Sequence, residues 1–222
     1  MPLLAGRYLF LLGLASGVAL LTMTAYRRVS PAWVKWLLTV SGIFVISRYV
    51  AMALFATTTS PEHVWAWRRC WFATSVGLTL PSVFAIDQLL RHPAMTPKKL
   101  LGWFSPFLLA YGVLILFANA TPAVDQLIGW APRLTPGWRL FTSVVQSVFV
   151  VVFIGISALL MWNVPSRSIR TALLGLILGH LALGLDGLLL ALGVWYFRPF
   201  LYSEMLTLFA IWHAYETSAT AP

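Results

Sequence analysis

Seven long apolar stretches, separated by short charged or proline-containing connections, constrain this chain more than any other feature of its sequence. They cover residues 5–26, 33–57, 64–90, 99–119, 137–162, 170–193 and 199–216. A helix needs about 20 predominantly apolar residues to cross the hydrocarbon core of a bilayer, and each stretch is close to that length. The sequence therefore predicts an all-α integral membrane bundle of seven transmembrane helices, forming a single domain over residues 1–222.

The composition excludes an ordinary soluble domain. Hydrophobic residues make up 60% of the chain and charged residues 9%, against about 45–50% and about 25% in soluble proteins. The first stretch is interpreted as a spanning helix, because its apolar run is too long for a signal peptide and no small-residue cleavage site precedes Tyr26. The single cysteine, Cys70, rules out an intrachain disulfide.

Five Ser-Pro or Thr-Pro pairs indicate where helices begin, because Ser and Thr cap helices and proline suits the first helical position. Four of these pairs, at 30–31, 60–61, 96–97 and 135–136, precede apolar stretches. The fifth, Thr121-Pro122, precedes the sequence AVDQLIGW between the fourth and fifth stretches. For that segment we expect a short amphipathic helix lying on the membrane surface.

The distribution of basic residues predicts the orientation of the bundle. One side holds Arg27, Arg28, Lys35, Arg91, Lys98, Lys99, Arg167 and Arg170, and the other holds Arg7, Arg68, Arg69, Arg133, Arg139 and Arg198. Loops rich in Lys and Arg face the cytoplasm, so we expect an outside N-terminus and a cytoplasmic C-terminus in a cell (inner) membrane. Basic loops and anionic headgroups account for the net charge of +9 without a nucleic-acid partner.

No soluble catalytic signature is present in the sequence. It contains no phosphate-binding glycine loop, no nucleophile elbow and no paired Cys or His at metal-ligand spacing. His180 and His213 lie at different depths, which disfavours a shared metal or haem. We therefore predict a protein that is not an enzyme and has no cofactor, no metal and no catalytic residue.

Polar residues inside the apolar stretches are the remaining functional candidates, because such residues are costly in a membrane and usually face the bundle interior. Helical spacing groups several of them on single faces, and most lie in the half of the bilayer assigned to the outside. The predicted ligand-binding or buried polar cluster consists of Arg48, Tyr49, Arg68, Ser75, Thr79, Arg139, Ser143, Gln146, Asp186 and Glu204. For any single Ser or Thr, stabilisation of helix packing is the favoured interpretation, and it is the convergence of these residues on one half of the bundle that suggests a polar cavity open to the outside.

Asp186 raises the question of why a stretch of Gly, Ala and Leu contains a carboxylate. It shares a helical face with Gly175, Gly179 and Gly193, and small residues mark the face where helices approach closely. At a rise of roughly 1.5 Å per residue, Asp186 and Arg48 lie at similar depths. We therefore expect Arg48 and Asp186 to be close, or to share a hydrated polar cluster with Glu204; a register-fixing ion pair and a ligand-contacting or proton-sensing cluster both remain open.

A series of motifs from the second stretch to the end of the fifth, and more loosely to the C-terminus, carries a family resemblance. It comprises a Trp-Arg-rich start (VWAWRRCWF), a proline-centred helix (GLTLPSVFAIDQLL), a basic turn (RHPAMTPKK), a proline early in the next helix (GWFSPFLLAYGVLILFAN) and a long loop with Trp. This order resembles the seven-helix N-terminal sensor region of bacterial histidine kinases and related signalling proteins. In that family the seventh helix leads into a cytoplasmic output domain, whereas this sequence ends at YETSATAP.

Two classes of function follow. The first is a sensor-like membrane module that binds a small molecule or lipid in its outer half and acts through a separate protein partner in the membrane or on the cytoplasmic side. The predicted cytoplasmic docking residues are Arg27, Arg28, Lys98, Lys99 and Arg167. The alternative is a non-enzymatic accessory or structural subunit of a larger membrane complex, whose polar interior only fixes helix packing. A transporter fits less well, since no internal symmetry is apparent.

Overall fold

The computed structural model describes residues 5–92, 95–125, 128–192 and 200–220. Gly193 and Arg198, used in the sequence arguments, lie outside these residues. The described chain contains seven α-helices, which we number in order. They are α1 (Ala5–Ala25), α2 (Ala32–Thr57), α3 (Thr74–Leu90), α4 (Pro97–Phe117), α5 (Pro136–Asn163), α6 (Arg167–Ala191) and α7 (Leu201–Thr220).

Within the described residues, six helical stretches are long and apolar enough to cross a membrane. These are Gly6–Arg28, Ala32–Thr57, Glu62–Leu90, Pro97–Phe117, Pro136–Asn163 and Arg167–Leu189. The fold is therefore that of a multi-pass helical membrane protein. The seventh helix, α7, is 20 residues long but more polar, and it buries residues along its whole length from Leu201 to Ser218.

The helices form a closed ring in chain order, with α7 packed against α6, α1 and α3. Hydrogen bonds and ion pairs place the ends of α1, α3 and α7 together with the start of α2. We call this the basic end of the bundle. The opposite end, where α7 begins with Glu204 in its first turn, is called the Glu204 end.

Helix α5 is the least buried of the helices described so far. It buries only Phe149, Phe153 and Ser157 of its 28 residues, so most of its surface faces outward.

A glycine face on α6 allows α7 to approach closely. A Cβ atom added at Gly179 would lie 2.9 Å from the Cα of Thr207, and one added at Gly175 would lie 3.6 Å from the Cβ of Ala210. Separations below 3.0 Å require the backbone to move, so Gly179 cannot carry a side chain without separating the two helices. The described glycines of the face predicted from the sequence therefore do pack against a neighbouring helix.

The segment between α4 and α5 corrects one prediction. In place of an amphipathic surface helix, the chain forms an antiparallel hairpin of strands β1 (Ala120–Asp125) and β2 (Gly129–Leu134). Gly129 adopts a φ of +92°, close against the carbonyl of Ala56 at the end of α2. A tight turn at this glycine favours a hairpin, and Pro132 would interrupt any helix continuing through the segment. The fold is thus almost entirely helical, with one hairpin over the end of α2.

The third apolar stretch also differs from a simple α-helix. Its first part, Glu62–Phe72, is a 3₁₀ helix without buried residues, and the α-helical part begins only at Thr74. Within α3, Pro81 lies in the helix interior, as Pro106 does in α4. At the start of α4 the predicted cap is present, because the Thr96 hydroxyl accepts a hydrogen bond from the Lys99 amide. At the starts of α2, the 3₁₀ helix and α5, the predicted Ser or Thr caps make no side-chain cap hydrogen bond.

Candidate functional site

A buried ion pair joins α2 to α7. The Arg48 Nη2 atom lies 2.9 Å from the Glu204 Oε1 atom, and the side chains are only 12% and 3% exposed. Glu204 lies in the first turn of α7, where the partial positive charge of the helix N-terminus favours a carboxylate. Two formal charges are therefore held inside the bundle, where each depends on the other for compensation.

Further hydrogen bonds attach this pair to the start of α3. Arg48 Nη1 donates to the carbonyl of Trp71 at 2.8 Å. The Thr74 hydroxyl, in the first turn of α3, donates to Glu204 Oε1 at 3.3 Å. The position at which the 3₁₀ helix changes to α-helix is thus the position that contacts the ion pair.

Asp186 connects α6 to the same region. Its carboxylate accepts hydrogen bonds from the Phe200 amide, at 2.8 Å, and from the Ser203 hydroxyl. It therefore caps the N-terminus of α7 from a neighbouring helix, a role that suits a carboxylate. Asp186 also interacts electrostatically with Glu204. We call Arg48, Tyr49, Thr74, Asp186, Ser203 and Glu204 the Glu204 cluster.

Within the described residues, the Glu204 cluster leaves some of its hydrogen-bonding capacity unused. Arg48 Nε and Glu204 Oε2 are buried and have no hydrogen-bond partner among the described residues. Tyr49 lies beside the Glu204 carboxylate, but its buried hydroxyl makes no hydrogen bond of regular geometry there. Because buried polar groups are normally satisfied, these atoms make the cluster a candidate site for contact with a polar ligand.

The structure brings together four of the ten side chains predicted from the sequence, namely Arg48, Tyr49, Asp186 and Glu204. Arg48 forms its ion pair with Glu204. Sequence reasoning did not single out Thr74 or the carbonyl of Trp71. Nothing in the local sequence distinguishes Thr74 from other membrane threonines, and a backbone carbonyl has no sequence signal.

The other predicted side chains lie elsewhere. On α3, the buried Thr79 hydroxyl donates to the Ser75 carbonyl at 2.6 Å, which satisfies it within its own helix. The Arg68 guanidinium lies over the Trp65 ring, 5.5 Å from the ring centroid.

On α5, Arg139 and Ser143 are exposed, and Gln146 is half-buried. The face of α5 that points inward is instead the aromatic one, formed by Phe149 and Phe153. The convergence of α5 polar residues on the cluster was therefore a wrong expectation for Arg139 and Ser143.

His180 on α6 is a second buried ionisable group, in very different surroundings. Its Nδ1 atom lies 2.9 Å from the Leu176 carbonyl. Its ring packs against Phe153, with centroids 4.1 Å apart, and against Phe149. The Nε2 atom has no hydrogen-bond partner in the part of the chain that the structure describes. His180 thus behaves as an aromatic packing residue, held in one ring orientation by its own helix.

Polar contacts also fix the far end of α7. Glu216 pairs with Arg28 of the turn after α1, at 2.7 Å. Arg91, after α3, donates to the Ser218 carbonyl at 2.7 Å, and the buried Tyr215 hydroxyl donates to the Pro81 carbonyl at 2.9 Å. Helix α7 therefore has hydrogen bonds to α3, or to the residue that follows it, near both of its ends.

The predicted docking residues are all exposed at the basic end. They are Arg27 and Arg28 after α1, Lys98 and Lys99 at the start of α4, and Arg167 at the start of α6. Arg28 already pairs with Glu216, so its charge is partly compensated within the chain.

Comparison with known proteins gives no relative. No protein-family model matches the chain, and searches of curated proteins and of solved structures return no significant match.

Proposed function

We propose that the chain is a seven-span sensor-like module of the cell (inner) membrane, with its N-terminus outside and its C-terminus in the cytoplasm. In this proposal the Glu204 cluster binds a small polar molecule or a lipid headgroup in the outer half of the bilayer. The module has no catalytic turnover of its own and acts through a separate protein. The resemblance to seven-helix sensor regions of signalling proteins supports the same reading.

The observation that carries the proposal is the buried ion pair of Arg48 and Glu204, which leaves one atom of each side chain without a hydrogen-bond partner among the described residues. Arg48 Nε is a hydrogen-bond donor, and Glu204 Oε2 is an acceptor. A small molecule that carries one acceptor and one donor would satisfy both. Ionisable residues within membrane spans are costly and are functional candidates for that reason.

The continuity of α7 supports a signalling role. The helix bears Glu204 in its first turn. Near its other end, Tyr215 contacts α3, Glu216 contacts the turn after α1, and Ser218 contacts the residue after α3. A ligand that altered the position of Glu204 would therefore also alter the contacts of α7 at the basic end, because both sets of contacts belong to one helix. The exposed basic residues at that end, Arg27, Lys98, Lys99 and Arg167 among them, would contact the partner.

The alternative, a non-enzymatic accessory subunit, is favoured by a different observation. Arg48 and Glu204 already compensate each other, as expected of an ion pair whose only role is to fix helix register. The large outward-facing surface of α5 would then pack against another subunit.

Quantitative affinity purification from native membranes distinguishes these functions. The variants are Glu204→Gln in the cluster and Arg139→Gln, an exposed arginine outside it, as the matched control. If the chain is a sensor module, the molar ratio of recovered partner to chain should be the same for wild type and Arg139→Gln. The ratio should differ for Glu204→Gln. An accessory subunit predicts the same ratio for every folded variant, and recovery of the isolated chain alone would contradict both functions.

A further inference from the structure

An open groove of about 450 Å³ lies between α2 and α4 at the basic end, and none of its lining residues belongs to the Glu204 cluster. It is lined by Trp33 of α2 and by Lys98, Leu101, Gly102 and Ser105 of α4. Trp33 is held in place by an edge-on contact with the Phe84 ring of α3, with centroids 6.1 Å apart. The groove therefore has one wall fixed by the core and a floor formed by α4.

The floor of the groove is suited to an aliphatic chain. No atom lies within 4 Å of the position that a Cβ would take at Gly102, so the space above this glycine is open. The Ser105 hydroxyl donates to the Gly102 carbonyl at 2.7 Å, which uses its donor inside the helix. The polar groups that the lining offers to an occupant are therefore the Lys98 ammonium and the Trp33 indole N–H, and the rest of the lining is suited to an apolar chain.

The mouth of the groove is positively charged. Lys98 is exposed there, and Lys99 lies beside it in the same turn. The first turn of α4 contains no acidic residue, and lysines at a helix N-terminus add to the partial positive charge already present. Charge complementarity therefore favours an anionic occupant.

We propose that the α2–α4 groove binds an anionic phospholipid, with an acyl chain over Gly102 and the headgroup phosphate on Lys98. Tryptophan at the headgroup level is typical of a membrane interface, so Trp33 lies where the glycerol region would be. This site is separate from the Glu204 cluster. It shares Lys98 with the proposed docking residues, so a headgroup held there would leave Arg27, Lys99 and Arg167 to contact the partner.

A second groove, of about 410 Å³, lies between α5 and α6, and its basic residue differs in role from Lys98 of the α2–α4 groove. Its basic residue, Arg170, donates from Nε to the Val164 carbonyl and so closes the turn between these helices. Lys98 has no such structural role in the described contacts, so its ammonium group is available at the mouth of the α2–α4 groove.

Photolabelling in vesicles tests the proposal. The full chain is reconstituted in phosphatidylcholine vesicles that contain a trace of photoactivatable phosphatidylglycerol, and labelled peptides are mapped by mass spectrometry. Segment 98–105 should be labelled in wild type, and more strongly than by photoactivatable phosphatidylcholine. Lys98→Gln should lower this labelling about fivefold, the effect expected for one lysine near an anionic headgroup.

Two matched controls make the test specific. Lys99→Gln removes a neighbouring charge that does not line the groove and should lower the labelling less than Lys98→Gln does. Gly102→Leu should abolish labelling of the segment, whereas Gly112→Leu, at another open position of α4, should not. Equal labelling by both lipids, equal effects of Lys98→Gln and Lys99→Gln, or full labelling of folded Gly102→Leu would overturn the proposal. If Gly102→Leu fails to fold by thermal unfolding, the two lysine variants decide the outcome.

Discussion

The two ends of α7 carry ion pairs of similar length in opposite surroundings. Glu204 and Arg48 are 2.9 Å apart with side chains 3% and 12% exposed, whereas Glu216 and Arg28 are 2.7 Å apart with side chains 31% and 61% exposed. Distance alone would make the second pair the stronger. Burial reverses this order, because solvent screens the exposed charges and lets each remain hydrated when its partner is absent.

The comparison shows where α7 is fixed. Loss of one buried partner leaves a charge with neither water nor a counter-ion, while loss of one exposed partner leaves a hydrated charge. The contacts at the Glu204 end should therefore determine the position of α7. At the basic end, a change in these contacts should alter the free energy of unfolding only slightly. A sensor needs an input site whose contacts fix the position of α7 and, at the other end, a contact surface that can change at little energetic cost. The difference between the two ends meets both needs.

The largest predicted effect is at Arg48. Arg48→Met should lower the free energy of unfolding by about 3–5 kcal/mol, because Glu204 is left buried without its counter-ion. The double variant Arg48→Met with Glu204→Leu should be nearly as stable as wild type. Thermal unfolding in detergent is measured for wild type, for the two single variants and for the double variant. Additive losses in the double variant would show that the two side chains act independently.

A smaller effect is expected midway along α7. Gly179→Ala should destabilise the fold by about 1–3 kcal/mol, because its Cβ would lie 2.9 Å from the Thr207 Cα and force α6 and α7 apart. Gly187→Ala on the same helix has no atom within 4 Å of its Cβ and is the control. It should be neutral or stabilising by up to about 1 kcal/mol, from helix propensity. Equal unfolding temperatures for the two variants would contradict the close approach.

Tyr215→Phe tests the buried contact nearest the basic end. Loss of the hydroxyl that donates to the Pro81 carbonyl should reduce stability by about 1 kcal/mol, the usual net value of such a hydrogen bond. The same change at Tyr202, which is 47% exposed on α7, should have almost no effect. The two variants are compared by chemical denaturation in mixed micelles, and a Tyr202 effect as large as that of Tyr215 would refute the assignment.

The smallest effect is expected for the exposed pair. Arg28→Met should change the free energy of unfolding by less than about 1 kcal/mol, since an exposed ion pair is screened by solvent. Raising the salt concentration should remove even this difference, whereas the effect of Arg48→Met should persist. A salt-insensitive loss in Arg28→Met would mean that the basic end is less hydrated than the exposure of Arg28 indicates.

The helices were predictable from the sequence because apolar length and capping residues are local signals. The stretch predicted at 137–162, for example, is the helix Pro136–Asn163. The hairpin was not predictable, because AVDQLIGW has a helical pattern and the positive φ of Gly129 depends on contact with the end of α2. The 3₁₀ helix Glu62–Phe72 likewise has no distinctive local signal.

The site could be predicted only in part. Helical rise placed Arg48 and Asp186 at one depth and Glu204 near them, and the structure has all three in one cluster. Which carboxylate pairs with Arg48 depends on the rotation of α7 against α2, which spacing along the chain does not determine. On α5, the spacing of Arg139 and Ser143 put them on one face of the helix but could not determine whether that face points into the bundle, and both side chains are exposed. An arginine near a helix end can reach the membrane surface.

Hydrogen–deuterium exchange along α7 tests the central claim that the Glu204 end controls the whole helix. The exchange of residues 201–207 and 212–218 is compared in wild type, in Glu204→Gln and in Ser143→Ala, an exposed serine outside the cluster. Exchange should be faster in both segments of Glu204→Gln and unchanged in Ser143→Ala, because loosening the buried pair releases the contacts of Tyr215 and Ser218 as well. Faster exchange confined to residues 201–207 would contradict that claim.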